Sequence, residues 1–125
     1  MKFPAVLALA TTLASCAPNT APAPGSVDHI VLVWQKRPGN KEDQKYLIDA
    51  AEPLRKIPGV LAIDPGTALA SPRSVVDDSF DVAYVVRFDT ENSLRAYDQN
   101  PIHQKQLNTV LKPIARKFLI YDVIH

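Results

Sequence analysis

The groups best placed to do chemistry near neutral pH are three histidines, His29, His103 and His125, and a single cysteine, Cys16. Their spacing excludes several kinds of chemistry. The histidines fall near the start, near the end and at the terminus of the domain, and with one cysteine they form no metal-ligand pattern. The four glycines are scattered at turns and make no phosphate-cradling loop. No Ser-His-Asp set is readable, and neither a metal nor an organic cofactor is expected. What remains is proton transfer. His103 follows Asn100-Pro101, an N-cap residue and then a proline at the first helical position, so it is predicted third in a helix. The positive end of the helix dipole disfavours imidazolium there, and a neutral imidazole is what a general base needs near pH 7.

The elements that must position these groups can be read in order. Val27 to Trp34 is β-branched and aromatic and predicts a first strand. Lys41 to Ile57 carries Tyr46, Leu47, Ala50, Ala51, Leu54 and Ile57 at helical spacing, with Asn40 as its cap. Pro53 either kinks that helix or begins a second short piece, and Pro58-Gly59 ends it. Val60 to Leu69 reads as a second strand, with Asp64-Pro65-Gly66 placing a bulge in it or putting it at an edge. A polar loop over 70–79 leads to a third strand, Phe80 to Phe88. Thr90 caps a second helix ending near Gln99, and the third helix opens at Asn100 with Pro113 bending its last turn. Lys117 to Ile124 is the fourth strand. The order βαββαβ is that of a ferredoxin-like α+β fold.

The first 26 residues stand apart. Met1-Lys2 and an apolar run to Leu13 have the length of a secretory signal and are too short to span a bilayer. Leu13-Ala14-Ser15-Cys16 resembles a bacterial lipobox. On that reading 1–15 is a signal peptide and Cys16 is the lipidated residue. A lone cysteine has no intramolecular disulfide to form. Residues 16–26 then make a Pro-rich, uncharged and solvated tether to a domain spanning 27–125. The expectation is a protein on the periplasmic side of a bacterial envelope, held to the membrane only through the lipid on Cys16. Ala17 favours the outer membrane over the inner, by analogy with other lipoproteins.

Without Lys2, 13 Lys+Arg face 13 Asp+Glu, so the mature chain is formally neutral. With no basic stripe, nucleic acid is not an expected partner. The strands add a partner of another kind. His29, Val31 and Val33 face one way on the first strand, and Ile30, Leu32 and Trp34 the other. The fourth strand is apolar on both sides as well. Helices cover one face only, so the open face predicts a homodimer packed sheet against sheet, with Trp34 in its core.

Five short segments resemble one known family. His29-Ile30-Val31-Leu32, Ile57-Pro58-Gly59-Val60, Ala96-Tyr97, Asn100-Pro101-Ile102-His103 and Leu119-Ile120-Tyr121-Asp122 are similar, in order and spacing, to the Dabb family of stress-responsive dimeric A/B barrels. The resemblance implies a homodimeric α+β barrel, and says less about activity. The family pattern at the third helix is His-Pro-x-His, and the first of these is Asn100 here. A plant polyketide cyclase of the family closes a ring by intramolecular aldol condensation without cofactor or metal. Its catalytic His and Tyr match His103 and Tyr97, and an Asp that orients the His matches Asp122. In this reading Tyr97 donates to a carbonyl as enolate charge develops. Strand parity puts His29, Val31, Val82, Tyr84 and Ile120 beside the trio as a small, mostly apolar ligand pocket.

Each residue also has a structural alternative. His103 can bond Asp122 and tie the third helix to the fourth strand, Tyr97 can be a packing residue with a satisfied hydroxyl, and His29 can be structural. Of the pocket aromatics on the cyclase's first helix only Tyr46 remains, so the substrate does not carry over. Three functions therefore stay open: a lipid-anchored module binding a small apolar ligand or a partner, a cofactor-free cyclase or lyase, and a haem-degrading monooxygenase on a shared barrel architecture. The last needs a His beside Asn and Trp in one pocket, and Trp34 is predicted on the face away from His103.

Overall fold

A computed structural model describes Met1 and residues 21–125. The expected signal segment, apart from Met1, and Cys16 lie outside the described residues. Four strands form one antiparallel sheet: β1 (Val27–Gln35), β2 (Val60–Thr67), β3 (Val82–Phe88) and β4 (Ala115–Ile124), in the order β2-β3-β1-β4. Three helical segments cross one face. This is the ferredoxin-like α+β fold that the order of elements predicts.

Local chemistry explains the boundaries. Asn40 caps α1 (Lys41–Asp49) by accepting the Asp43 N–H at 2.9 Å. Pro53 then opens a separate 3-10 turn, Glu52–Lys56, rather than bending one long helix. Asp81 sets the start of β3, its carboxylate accepting the backbone N–H groups of Gln35 at 2.8 Å and Gly39 at 2.6 Å. β2 is an edge strand, where Pro65 removes no ladder bond that the sheet needs, and its register slips between Val60 and Ala62, not at Pro65. Gly59 has φ +86, and a Cβ there would meet Ser93 Oγ at 2.3 Å, so only glycine fits this turn.

Thr90 caps α2 (Glu91–Gln99) through the Ser93 N–H at 3.1 Å. α3 (Pro101–Gln106) follows after a break at Asn100 and runs into a π turn, Leu107–Leu111, and a last α turn, Lys112–Ile114. The π turn stands where Pro113 would clash with the carbonyl four residues before it and has no N–H to offer.

The core lies between the helices and β1, β2 and β3. Val33, Leu47, Ile63, Val82 and Phe88 are fully buried. β4 is different, with Phe118 and Ile120 each 41 % exposed. On the other face of the sheet, Val85, Leu119, Tyr121 and Val123 form an exposed apolar patch beside the half-buried Ile30 and Leu32. Trp34 does not belong to that bare surface. Its indole N–H donates to Ser79 Oγ at 3.0 Å and Lys117 Nζ lies 4.4 Å from its ring, so the single chain already covers it. The tether also ends sooner than composition predicts: Gly25 N–H donates to the His125 carbonyl, His125 N–H donates to that of Ser26, and Ser26 is buried. Among the described residues no helix is long and apolar enough to cross a membrane.

Candidate functional site

Between the helices and the sheet lies a cavity of about 320 Å³. Its floor is the helix-side face of three strands. His29 sits between Val86 on β3 and Asp122 on β4; Val31 sits between Tyr84 and Ile120. Its roof is α1, the 3-10 turn that follows it and the stretch after α3, with Leu47, Leu54, Leu107 and Val110 turned inward.

Tyr97 and His103 close one end. In an unbroken helix six residues turn through about 600°, which puts two side chains on different faces. Here Asn100 is extended (φ −68°, ψ 132°), as the residue before a proline prefers, and α3 starts afresh. The restart brings the Tyr97 and His103 rings to 4.2 Å between centroids. Tyr97 packs on Phe88 at 5.0 Å and edge-on to His29 at 6.2 Å. An aromatic wall thus joins the two imidazoles through a tyrosine.

The hydrogen bonds fix where the lone pairs are. His103 Nδ1 lies 3.4 Å from the Asp98 carbonyl, and a carbonyl can only accept, so Nδ1 carries the proton and Nε2 is free. Burial lowers the His103 pKa from its ordinary value near 6.5, against the raising effect of the Asp98 carbonyl. The ring is therefore neutral at pH 7. His29 Nδ1 donates to Asp122 Oδ1 at 2.6 Å, which sets its tautomer in the same sense. Burial raises the Tyr97 pKa above its usual value near 10, and no hydrogen bond is among the causes. Among the described residues the Tyr97 hydroxyl has no partner, whereas the Tyr84 hydroxyl donates to the Leu47 carbonyl at 2.7 Å.

Several sequence-based placements need correction. Asp122 pairs with His29 and not with His103, because the β1–β4 register sets Asp122 directly opposite His29. Neither the catalytic nor the tying role that links Asp122 to His103 directly has this geometry. Val82 is fully buried opposite Val33, one step beyond the cavity, and does not line it. His29, Val31, Tyr84 and Ile120 do line it, with Tyr97 and His103. Tyr46 is 60 % exposed on the outer side of α1 and contributes nothing. The polar mouth formed by Asp98, Gln99 and Gln104 was not anticipated. Its one signal was position, since these residues flank the Asn100-Pro101 break. Among the described residues no group of His, Cys, Asp and Glu could hold a metal ion.

Solved structures share this fold. A Dabb family protein with a ferredoxin-like fold from Mesorhizobium loti is 24% identical, with TM-score 0.67 over 81% of this chain and 97% of that one. A dimeric ferredoxin-like protein of unknown function from Thermobifida fusca is 21% identical, with TM-score 0.67 over 86% and 97%. A hydroxynitrile lyase from Passiflora edulis is 21% identical, with TM-score 0.69 over 82% and 95%. No curated protein sequence matches the chain. The family of the Stress responsive A/B Barrel Domain matches residues 27–125, the whole of the folded unit from the first residue of β1 to the last of the chain. The chain is a member of that family, Dabb.

Proposed function

We propose that this protein is a lipid-anchored homodimer on the periplasmic side of a bacterial envelope, in the outer rather than the inner membrane, that binds a small, largely apolar ligand in the cavity between its helices and sheet. The cavity carries the reading. A space of about 320 Å³ walled by aliphatic and aromatic side chains, with a few polar atoms at one end, is what a small-molecule site needs. The dimer is supported by the apolar patch on the open face and by relatives described as dimeric. The anchor rests on the lipobox-like run ending at Cys16 and the Pro-rich spacer after it. Native mass spectrometry of the purified protein tests the assembly and the ligand together. Two chains with a retained small molecule are expected; single chains at micromolar concentration would refute the dimer. Cys16→Ala should release the protein from membranes, and unchanged fractionation would refute the anchor.

One observation favours a second reading, a cofactor-free cyclase or lyase. A tyrosine hydroxyl that makes no hydrogen bond among the described residues and is open to the cavity stands beside a neutral imidazole with a free Nε2. His103 Nε2 would take a proton from a carbon or hydroxyl next to a carbonyl or nascent carbonyl. Tyr97 O–H would donate to the oxygen where negative charge grows, and His103 would return the proton to the product. Asp122 would serve by orienting His29 on the other side of Tyr97. The lyase name of the Passiflora relative fits this class. Tyr97→Phe should abolish turnover of such a substrate with folding intact; full turnover by the variant would refute this role of Tyr97, and no turnover by the unaltered chain would leave the binding reading alone standing.

A further inference from the structure

The polar atoms of the cavity restrict what can occupy it. His103 presents Nε2 as a bare acceptor, because its Nδ1–H is directed at the Asp98 carbonyl. His29 is fixed in the same tautomer by Asp122. The Tyr97 hydroxyl is the one group of the three that can donate, and it is unengaged among the described residues. An occupant therefore has to bring a donor for an imidazole and an acceptor for the phenol. A hydroxyl does both with one oxygen.

Charge points the same way. Among the described residues lining the cavity there is no lysine or arginine, while Asp98 is at the mouth and Asp122 lies behind His29. The Asp122 carboxylate, 2.6 Å from His29 Nδ1, puts an acidic group and no spare cation behind that imidazole. An anion entering this space would lose its water and meet no cation. A carboxylate would also leave the imidazole acceptors unpaired.

We infer that the cavity selects a neutral, hydroxyl-bearing compound, a phenol or an alcohol on an apolar body, over the matching carboxylic acid or ether. This rests on the cavity being the ligand site. The test uses three probes of one shape, 4-pentylphenol, 4-pentylanisole and 4-pentylbenzoate, titrated calorimetrically into the full chain at pH 7.5. The phenol should bind about tenfold tighter than the anisole, which can accept but not donate, and tighter still than the ionised benzoate. Benzoate binding as well as the phenol, or anisole doing so, would overturn the inference while leaving the cavity a ligand site. No binding by any of the three would overturn the ligand-site reading and this inference with it. His103→Leu should erase the margin between phenol and anisole, whereas Tyr97→Phe, which removes a donor that both oxygens accept from, should weaken the two alike and leave the margin standing. A margin that survives His103→Leu places the discrimination outside this cavity and refutes the assignment.

Discussion

β3 and β4 flank the same central strand, both antiparallel to it, and both are built from β-branched and aromatic residues. On the helix side, Val82, Val86 and Phe88 of β3 are buried to within 2 % of completeness. On β4, Phe118 and Ile120 of the same face are each 41 % exposed. The cause is the connection: the last helical turn ends at Ile114 and β4 begins at Ala115, so no chain is left over to swing a helix across the outer strand. The two edges also differ. β2 carries Pro65 and an irregular register, devices that blunt an edge, whereas β4 presents Phe118 to Tyr121 without interruption. One side of the sheet is a finished core; the other is surface suited to a ligand on its helix face and to a second chain on its open face.

The most severe way to test that contrast is a matched pair of truncations. Phe88→Ala should cost about 3–5 kcal/mol of unfolding free energy, the usual range for a fully buried phenylalanine. Phe118→Ala should cost less than about 1.5 kcal/mol, in proportion to its exposure. Denaturant unfolding followed by circular dichroism measures both, and equal costs would mean that β4 is as covered in solution as β3. Next in size is Leu119→Lys, which puts a charge in the open-face patch. It should weaken self-association at least about a hundredfold, with the fold of each chain unchanged. Sedimentation equilibrium reads this directly, and an unaltered dimer would move the interface elsewhere.

Asp122→Asn is expected to cost about 1 kcal/mol, because its hydrogen bond to His29 is charge-assisted yet half open to water. The same variant should leave the Nδ1–H of His103 on the Asp98 carbonyl, visible in its imidazole nitrogen shifts. A tautomer change at His103 would restore the direct Asp122–His103 link that the register denies. The smallest effect concerns pH. Burial depresses the His103 pKa in the folded state, so the unfolded chain takes up this proton more readily. The stability due to a neutral His103 is present above the unfolded value near 6.5 and is lost as pH falls through the lower folded value. His103→Gln should flatten the dependence of the melting temperature over that window, and an unchanged slope would assign it to other groups.

Much of this arrangement was legible because it depends on short-range chemistry. The caps at Asn40, Thr90 and Asn100, the stop at Pro58-Gly59 and the alternation along β1 are local signals, and the elements follow them within a few residues. Parity alone put His29 and Asp122 on one face. Their contact was not legible, because it depends on the register between β1 and β4, which hydrophobic pattern leaves open when both strands are apolar on both sides. Val82 has the parity of a pocket residue and fails for position along the strand, which parity does not encode. Strand parity puts Trp34 in the core of the dimer, yet within one chain a loop residue 45 positions away, Ser79, and Lys117 from β4 already reach over it.

The pairing of Gly25 and Ser26 with His125 has a practical consequence for anyone handling this molecule. Entry and exit of the folded unit share one pole, so a reporter or affinity handle fused after His125 would stand beside the point where the chain enters at Gly25. The bend between Thr67 and Val82 lies at the opposite pole, beside the far end of β1, with Leu69 and Val75 facing solvent. An insertion there, kept away from Ser79 and its bond to Trp34, would stand clear of both ends of the folded unit.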